Sequence, residues 1–431
     1  MPTTGEPGNP PASSADWAMM GYDLGSTYHN AGETKLTKDN AAQLQVAWTA
    51  DMGGNVYGAA LQVGDKIYAT APGSVRAFDA ASGMQLWKTT VSSTSALSYL
   101  DGTLYLNTLS GKMISVNAAD GTMGWSNMIN TEEMGDGTSS AIPVGDVVLV
   151  GGSSGASELT GGGGYRGFLS ALDRMTGKVA WTTYTVPTTA KGASIWSTPS
   201  ADPALGLAYA GTGNNYGAPA TDSSDSIIAF DLKTGEIKWK NQRVMNDTFG
   251  AGSGPDSDFG ANPVLYEAAV GGTMTKLVAD GMKGGTVHAI NRETGTMVWS
   301  RSVCMGTADG SLGIFTNFMW TGTNLVTACN TATGATLFGL DPATGDMQWM
   351  RQLSGQVWGR TANANGVGFV GTGPNVEAFD VDTGTLIKSF PGKGGSIAST
   401  ITIANGRVAF GEGLSWSSGV AGSTLTVLAI K

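Results

Sequence analysis

In GTGNNYG (211–217) two adjacent asparagines follow a strand-like run. Asn tolerates positive φ, so Asn214 and Asn215 are either turn formers or one of them aims its amide oxygen at a ligand. Further polar clusters lie on both sides. In SSGASELTGGGGYRG (153–167), Glu158 is the sole charge before Arg166. GPDSDFGANP (254–263) carries Asp256 and Asp258, and GMKGGTVHAINRETG (281–295) carries Lys283 just ahead of a strand. A hard cation such as calcium takes oxygen ligands, and Glu158 with the Asn214 amide could supply the protein half. Asp258 and Lys283 would then be a base and its positive partner. Taken one at a time, each cluster reads more readily as a polar turn than as a site.

A repeat says which elements carry these clusters. The unit A-x-D-x-x-T-G-x-x-x-W occurs as AFDAASGMQLW (77–87), SVNAADGTMGW (115–125), ALDRMTGKVAW (171–181) and AFDLKTGEIKW (229–239). It returns as AINRETGTMVW (289–299), GLDPATGDMQW (339–349) and, without Trp, AFDVDTGTLIK (378–388). An alternating strand ends in Asp, the turn places Gly in the left-handed region, and a second strand ends in Trp, which can wedge between sheets. Trp48 in LQVAWTA adds one outer strand with no turn of its own, and Lys388 holds the last register. These eight registers lie 38 to 60 residues apart. Four strands per repeat predict an all-β, eight-bladed β-propeller over 16–431, with STLTVLAIK (423–431) pairing with the N-terminal strand to close the ring. The repeats between Gly121, Gly177, Gly235 and Gly295 are the long ones, and loop length is where a site is built.

Composition agrees and excludes other classes. The chain has 65 glycines in 431 residues and only 13% charged residues, as many short strands and tight turns require. A net charge of −10 argues against a nucleic-acid partner. No apolar run has bilayer-spanning length, so no membrane span is expected. Residues 1–15 read as a flexible leader rather than a signal peptide. Cys304 and Cys329 are read either as one disulfide between neighbouring strands or as two buried thiols. C-x-x-C-H is absent, so no haem of the c type is attached.

Taken together, the clusters resemble the pyrroloquinoline quinone (PQQ)-dependent alcohol dehydrogenases, most closely the polyvinyl alcohol dehydrogenase branch. The resemblance runs from DWAMMGYDLGSTYHN to GEGLSW and is most specific in SIWSTPSADPALGLAYAGTGNNYGAP, SSGASE and PDSDFGANPVL. It implies PQQ and Ca2+ as cofactors, with Glu158, Asn214 and Asp258 as metal ligands. Asp258 resembles the catalytic aspartate, with Asp256 ranked second, and Lys283 the basic residue that reaches the quinone. Trp196 is similar to the tryptophan on which the cofactor stacks, with Ser194 beside it. Thr138 matches a hydroxyl that binds a cofactor carboxylate, Gly155 and Ala156 line the same turn, and Trp416 resembles a late tryptophan at the cofactor edge.

What the resemblance implies is oxidation of an alcohol substrate, secondary or polymeric, by hydride transfer to the quinone. Electrons would go to a separate cytochrome c or other acceptor, and the location would be periplasmic or secreted. The alternative is a non-catalytic propeller scaffold of the bacterial envelope. Two departures from the family pattern stand out. TTVSSTSALSYLDG (89–102) lacks the adjacent cysteine pair that covers the quinone in many methanol and ethanol dehydrogenases, and Tyr57 falls where a glutamate is expected. Gly260, two positions beyond Asp258, is not a second acid, which favours calcium over a lanthanide.

Overall fold

The structure is a computed structural model that describes residues 15–91, 95–108, 110–129, 139–153, 165–248, 256–308, 310–415 and 419–430. Its strands form eight four-stranded antiparallel sheets. The predicted eight-bladed propeller is therefore observed. Blades are numbered by their inner strands, from blade 1 (Leu61–Val63) to blade 8 (Thr402–Ala404).

Blade 4 shows how the sequence builds a unit. Ser200–Asp202, Leu207–Gly211 and Ser226–Asp231 are almost wholly buried, whereas the outermost strand Ile237–Gln242 alternates between half-buried and exposed residues. The three inner strands face neighbouring blades on both sides, so they read as continuous apolar runs. The outer strand is wetted on its free edge and shows a period of two. A one-residue register shift between Ala229 and Phe230 precedes the outer Trp, and the same irregularity recurs across the blades. Such bulges raise local twist, which splays each blade from the axis.

The repeated Trp joins one blade to the next. Trp48, Trp87, Trp125, Trp181, Trp239 and Trp299 each donate the indole N–H to a carbonyl in the following turn, at 2.9 to 3.3 Å. The ring lies on that turn's glycine: a Cβ on Gly345 would fall 2.5 Å from Trp299, and its φ is +73°. No other residue satisfies both demands. Where Trp is replaced, Lys388 donates to the Ala42 and Leu44 carbonyls at 2.6 and 3.4 Å. Blade 8 has no D-x-x-T-G turn to receive an indole, because its outer strand Gln45–Asp51 comes from the N-terminal part of the chain. That strand pairs with Thr424–Ala429, so the expected closure is present.

An element the repeat does not show passes from blade to blade around the ring. Residues 17–30 run beneath the inner strands and hydrogen-bond to blade after blade. Trp17 exchanges bonds with Gln62, Ala18 accepts from Tyr99, Leu24 from Ala201, Gly25 from Leu265, Thr27 from Trp320 and Tyr28 from Asn363. The Asn30 amide donates to Ile403, and Met19 shares an apolar cluster with Ile142 and Val144 of blade 3. Inner strands are sheet edges with unpaired backbone groups, and this strap pairs them. Of the leader read over 1–15, residues 1–14 lie outside the described part; Ala15 accepts a bond from Asn30 at 3.0 Å.

Cys304 and Cys329 form a disulfide. They are not on neighbouring strands of one sheet: Cys304 follows the outer strand of blade 5 and Cys329 lies in the second strand of blade 6. Among the described residues, no helix is long and apolar enough to cross a membrane.

Candidate active site

The D-x-x-T-G turns occupy one end of the propeller. Loops that leave second strands, and those that enter inner strands, occupy the other, and the long repeats put their extra length there. Four loops of blades 4 and 5 meet at that end. One enters blade 4 (residues 185–199), one follows Leu207–Gly211, one enters blade 5 (residues 256–263), and one follows Thr273–Gly281.

These loops are tied by backbone bonds before any side chain is considered. Gly213 N donates to Ser194 O, Ala193 N to Asn214 O, Phe259 N to Thr212 O, and Lys283 N to Asp258 O. On this lattice Asp258 sits 2% exposed, its Oδ1 accepting the Asn214 backbone N–H at 2.7 Å. Lys283 Nζ donates to Asp258 Oδ2 and to Asp256 Oδ2, both at 3.0 Å. The same ammonium lies 5.1 Å from the centroid of Trp196. Gly260 abuts the Trp196 ring so closely that a Cβ there would collide with it. The half-buried indole is thus backed by main chain.

The two asparagines have different fates. Neither has a positive φ, so tolerance of the left-handed region is not what places an asparagine at either position. Asn215 uses its whole amide in holding the loop: Nδ2 donates to Lys191 O, and Oδ1 accepts from Thr221 N and Oγ1. Asn214 Oδ1 is buried with no hydrogen-bond partner. A buried amide oxygen without a donor is costly, and a cation would satisfy it.

The charges point the same way. Asp256 is raised above the usual carboxylate range, first by burial and then by Asp258. Asp225, which sequence reading missed, is fully buried with neither carboxylate oxygen partnered, at φ +49°. Burial, then Asp258, Asp247 and Asp256, push it up to about 9. Lys283 is paired with two of these carboxyls, Asp256 and Asp258. Only the S-D-S step ahead of SIIAFD could have drawn attention to Asp225, and it carries no chemical signature. Ser194, expected near the cofactor, commits its hydroxyl to Tyr216 OH at 2.7 Å.

Thr138, Gly155, Ala156, Glu158 and Trp416 lie outside the described residues. Among the described residues, no group of three or more His, Cys, Asp or Glu is gathered as a metal site. Loops of blades 6, 7, 8 and 1 at the same end add an apolar cluster of Phe315, Trp358, Ala398 and Leu414, with Tyr57 packed against it. Phe315 and Trp358 have ring centroids 5.7 Å apart.

Behind Lys283, His288 bonds Met282 Sδ and Ser300 Oγ at 3.0 Å each. Burial, then Arg243, lowers its pKa to about 3. Between pH 6.5 and 3 the unfolded chain takes up a proton that the folded chain refuses. Stability is therefore lost as pH falls through that window, by about 1.4 kcal/mol per pH unit. Urea unfolding at pH 6.5 and 4.5 should show a steeper acid loss for the native chain than for His288→Gln. Parallel curves would mean that His288 is charged in the folded state.

Known proteins match this architecture. The family model described as PQQ: glucose/ethanol/alcohol dehydrogenase, β-propeller domain, covers residues 17–303, and one described as outer membrane protein assembly factor BamB covers 283–428. A polyvinylalcohol dehydrogenase of Pseudomonas sp. is 28% identical over 319 residues, covering 64% of this chain and 50% of that protein. The chain spans about half the length of the curated relatives it matches. A europium-containing methanol dehydrogenase shares the fold at a TM-score of 0.82 and 19% identity, covering 99% of this chain and 98% of its own. BamB from Moraxella catarrhalis shares it at 0.61 and 16% identity, covering 90% and 98%.

Proposed function

Because the chain belongs to the PQQ-dependent glucose/ethanol/alcohol dehydrogenase β-propeller family, we propose that it oxidises an alcohol with PQQ and a calcium ion. The observation that carries this reading is the buried, unpartnered Asn214 Oδ1 beside Asp258 and Lys283. Trp196, Asn214, Asp258 and Lys283 all fall within residues 17–303, so the stretch that matches the scaffold family adds only Lys283 again.

Asn214 and Asp258 would hold the cation, with Glu158 as the third ligand. When bound, PQQ accepts the hydride and the cation acts as a Lewis acid. Asp258 takes the hydroxyl proton at Oδ2, the oxygen that faces Lys283. Lys283 offsets the charge of Asp256 and Asp258 and would be the basic residue that reaches the quinone. Trp196, braced by Gly260, offers a flat face for stacking. Phe315, Trp358 and Leu414, clustered at the same end of the propeller, would offer the carbon chain of the alcohol an apolar wall. Such a wall suits a secondary or polymeric alcohol, in keeping with the polyvinylalcohol dehydrogenase relative. Electrons leave to a separate acceptor, a cytochrome c or another carrier, and the setting is the periplasm or the cell exterior.

The test is titration of PQQ into metal-stripped protein, read by tryptophan fluorescence. Calcium should be required, and Asn214→Ala should weaken binding by at least about tenfold. Failure of the native chain to bind PQQ with calcium would overturn the reading and leave the scaffold alternative.

A further inference from the structure

The disulfide belongs to the same end of the propeller as the site, and the chain between its cysteines packs on two of the site's residues. The segment that leaves blade 5 begins with Val303 N and Cys304 N, both donating to Gly285 O at 2.9 and 3.3 Å. Cys304 is then bonded to Cys329 in the second strand of blade 6. Nine positions on, Gly313 exchanges backbone bonds with Asn330, the neighbour of Cys329, at 3.1 and 2.8 Å. The loop is thus fastened at both ends to one strand, covalently at one end and by a bridge at the other.

Between these anchors the loop touches the charged cluster. Gly306 N donates to Gly284 O, and Asp256 N donates to Thr307 O at 3.1 Å. Gly313, at φ +127°, lies flat on the Lys283 carbonyl, where any Cβ would collide. Gly310 leaves no room for a Cβ beside Asp256 Oδ2. Thr307 Oγ1 accepts Ser311 N and Leu312 N at 3.1 Å and holds the loop's curl. Asp256 and Lys283, so held, are the residues that meet Asp258.

We infer that the Cys304–Cys329 disulfide is a positioning device. It presses residues 304–308 and 310–313 onto Lys283 and Asp256 and thereby sets the Lys283 ammonium on Asp258. Neither cysteine touches the reacting groups; both act through the loop. The inference rests on the proposed roles of Asp258 and Lys283.

The experiment uses the full chain carrying Cys304→Ala with Cys329→Ala, which removes both cysteines of the protein. Hydrogen exchange of the protein without cofactor comes first. The amides of Asp256 and Lys283, which donate to Thr307 O and Asp258 O, should exchange at least about tenfold faster, while those of blade 2 (Thr103–Asn107) do not change. In the protein loaded with PQQ and calcium, kcat should fall about 10- to 100-fold, with KM for the alcohol nearly unchanged. If the double variant does not fold, Thr307→Val should show the same loss and Thr307→Ser, which keeps the acceptor oxygen, should not. Unchanged exchange at Asp256 and Lys283 would overturn the inference, as would equal loosening of every blade. A native chain inactive with PQQ and calcium, yet showing the selective exchange, would instead overturn the catalytic reading and leave the loop's anchoring in place.

Discussion

Asp258→Asn should lower alcohol turnover by the PQQ- and calcium-loaded protein by roughly 10²- to 10⁴-fold, the range for loss of a positioned general base. The amide has the size and shape of the carboxylate, so its oxygen can still accept the Asn214 N–H. Its NH2 group would then face the Lys283 ammonium, donor against donor, where Asp258 Oδ2 now accepts a bond at 3.0 Å. The carboxylate assigned to the hydroxyl proton is gone, while Trp196 and Asn214 still offer their surfaces to the cofactor. Cofactor binding should therefore outlast chemistry. Dye-linked turnover and fluorescence titration on one preparation separate the two. Asp256→Asn is the control, because Asp256 joins the cluster through Lys283 and its bond to the Asp258 backbone. A larger loss for Asp256→Asn would assign the base to Asp256.

Trp299→Ala should destabilise the fold by roughly 3–5 kcal/mol, the usual cost of removing a large buried aromatic. Trp299 is 7% exposed, covers Gly345 of the next blade and donates to Pro342 O at 2.9 Å. Truncation opens a cavity at the blade 5–blade 6 junction and leaves that carbonyl with one donor fewer, the Tyr266 hydroxyl at 3.0 Å. Urea unfolding followed by far-ultraviolet dichroism measures the loss. A cost under about 1 kcal/mol would show that the repeated indoles decorate the junctions rather than join them.

The repeat was legible because its signals are local. D-x-x-T-G sets a turn within a few residues, Trp follows at a constant offset, and alternation marks the outer strand. Ring closure could be read from Trp48, an outer strand with no turn before it. The strap could not. Its carbonyls meet Ala201, Leu265, Trp320 and Asn363, far along the chain, through backbone groups that every residue possesses. Composition carries no record of such pairing. The disulfide was undecided for a related reason: a separation of 25 residues does not say that a loop and the strand of the next blade will be neighbours.

In the site, residue types and motifs nominated Trp196, Asn214, Asp258 and Lys283, and the fold brings all four to one end of the propeller. What the motifs did not contain are groups defined only by their surroundings. Asp225 stands out because it is buried among other carboxyls, Tyr216 because its hydroxyl takes up that of Ser194, and Phe315 and Trp358 because distant loops stack them.

Asn214 and Asn215 mark the boundary. By itself the sequence determined that two amides follow a strand in a long repeat of a propeller. Residue type does not rank one above the other, and only the family resemblance singled out Asn214. Tertiary structure decided it by distributing hydrogen-bond partners: Lys191 and Thr221 surround the Asn215 amide and consume it. Asn214 is anchored through its main chain, by Asp258 and Ala193, so its side-chain oxygen stays buried and unmatched. Which of two identical side chains keeps a free acceptor depends on what the other loops present to it, and those loops meet only once the ring has closed.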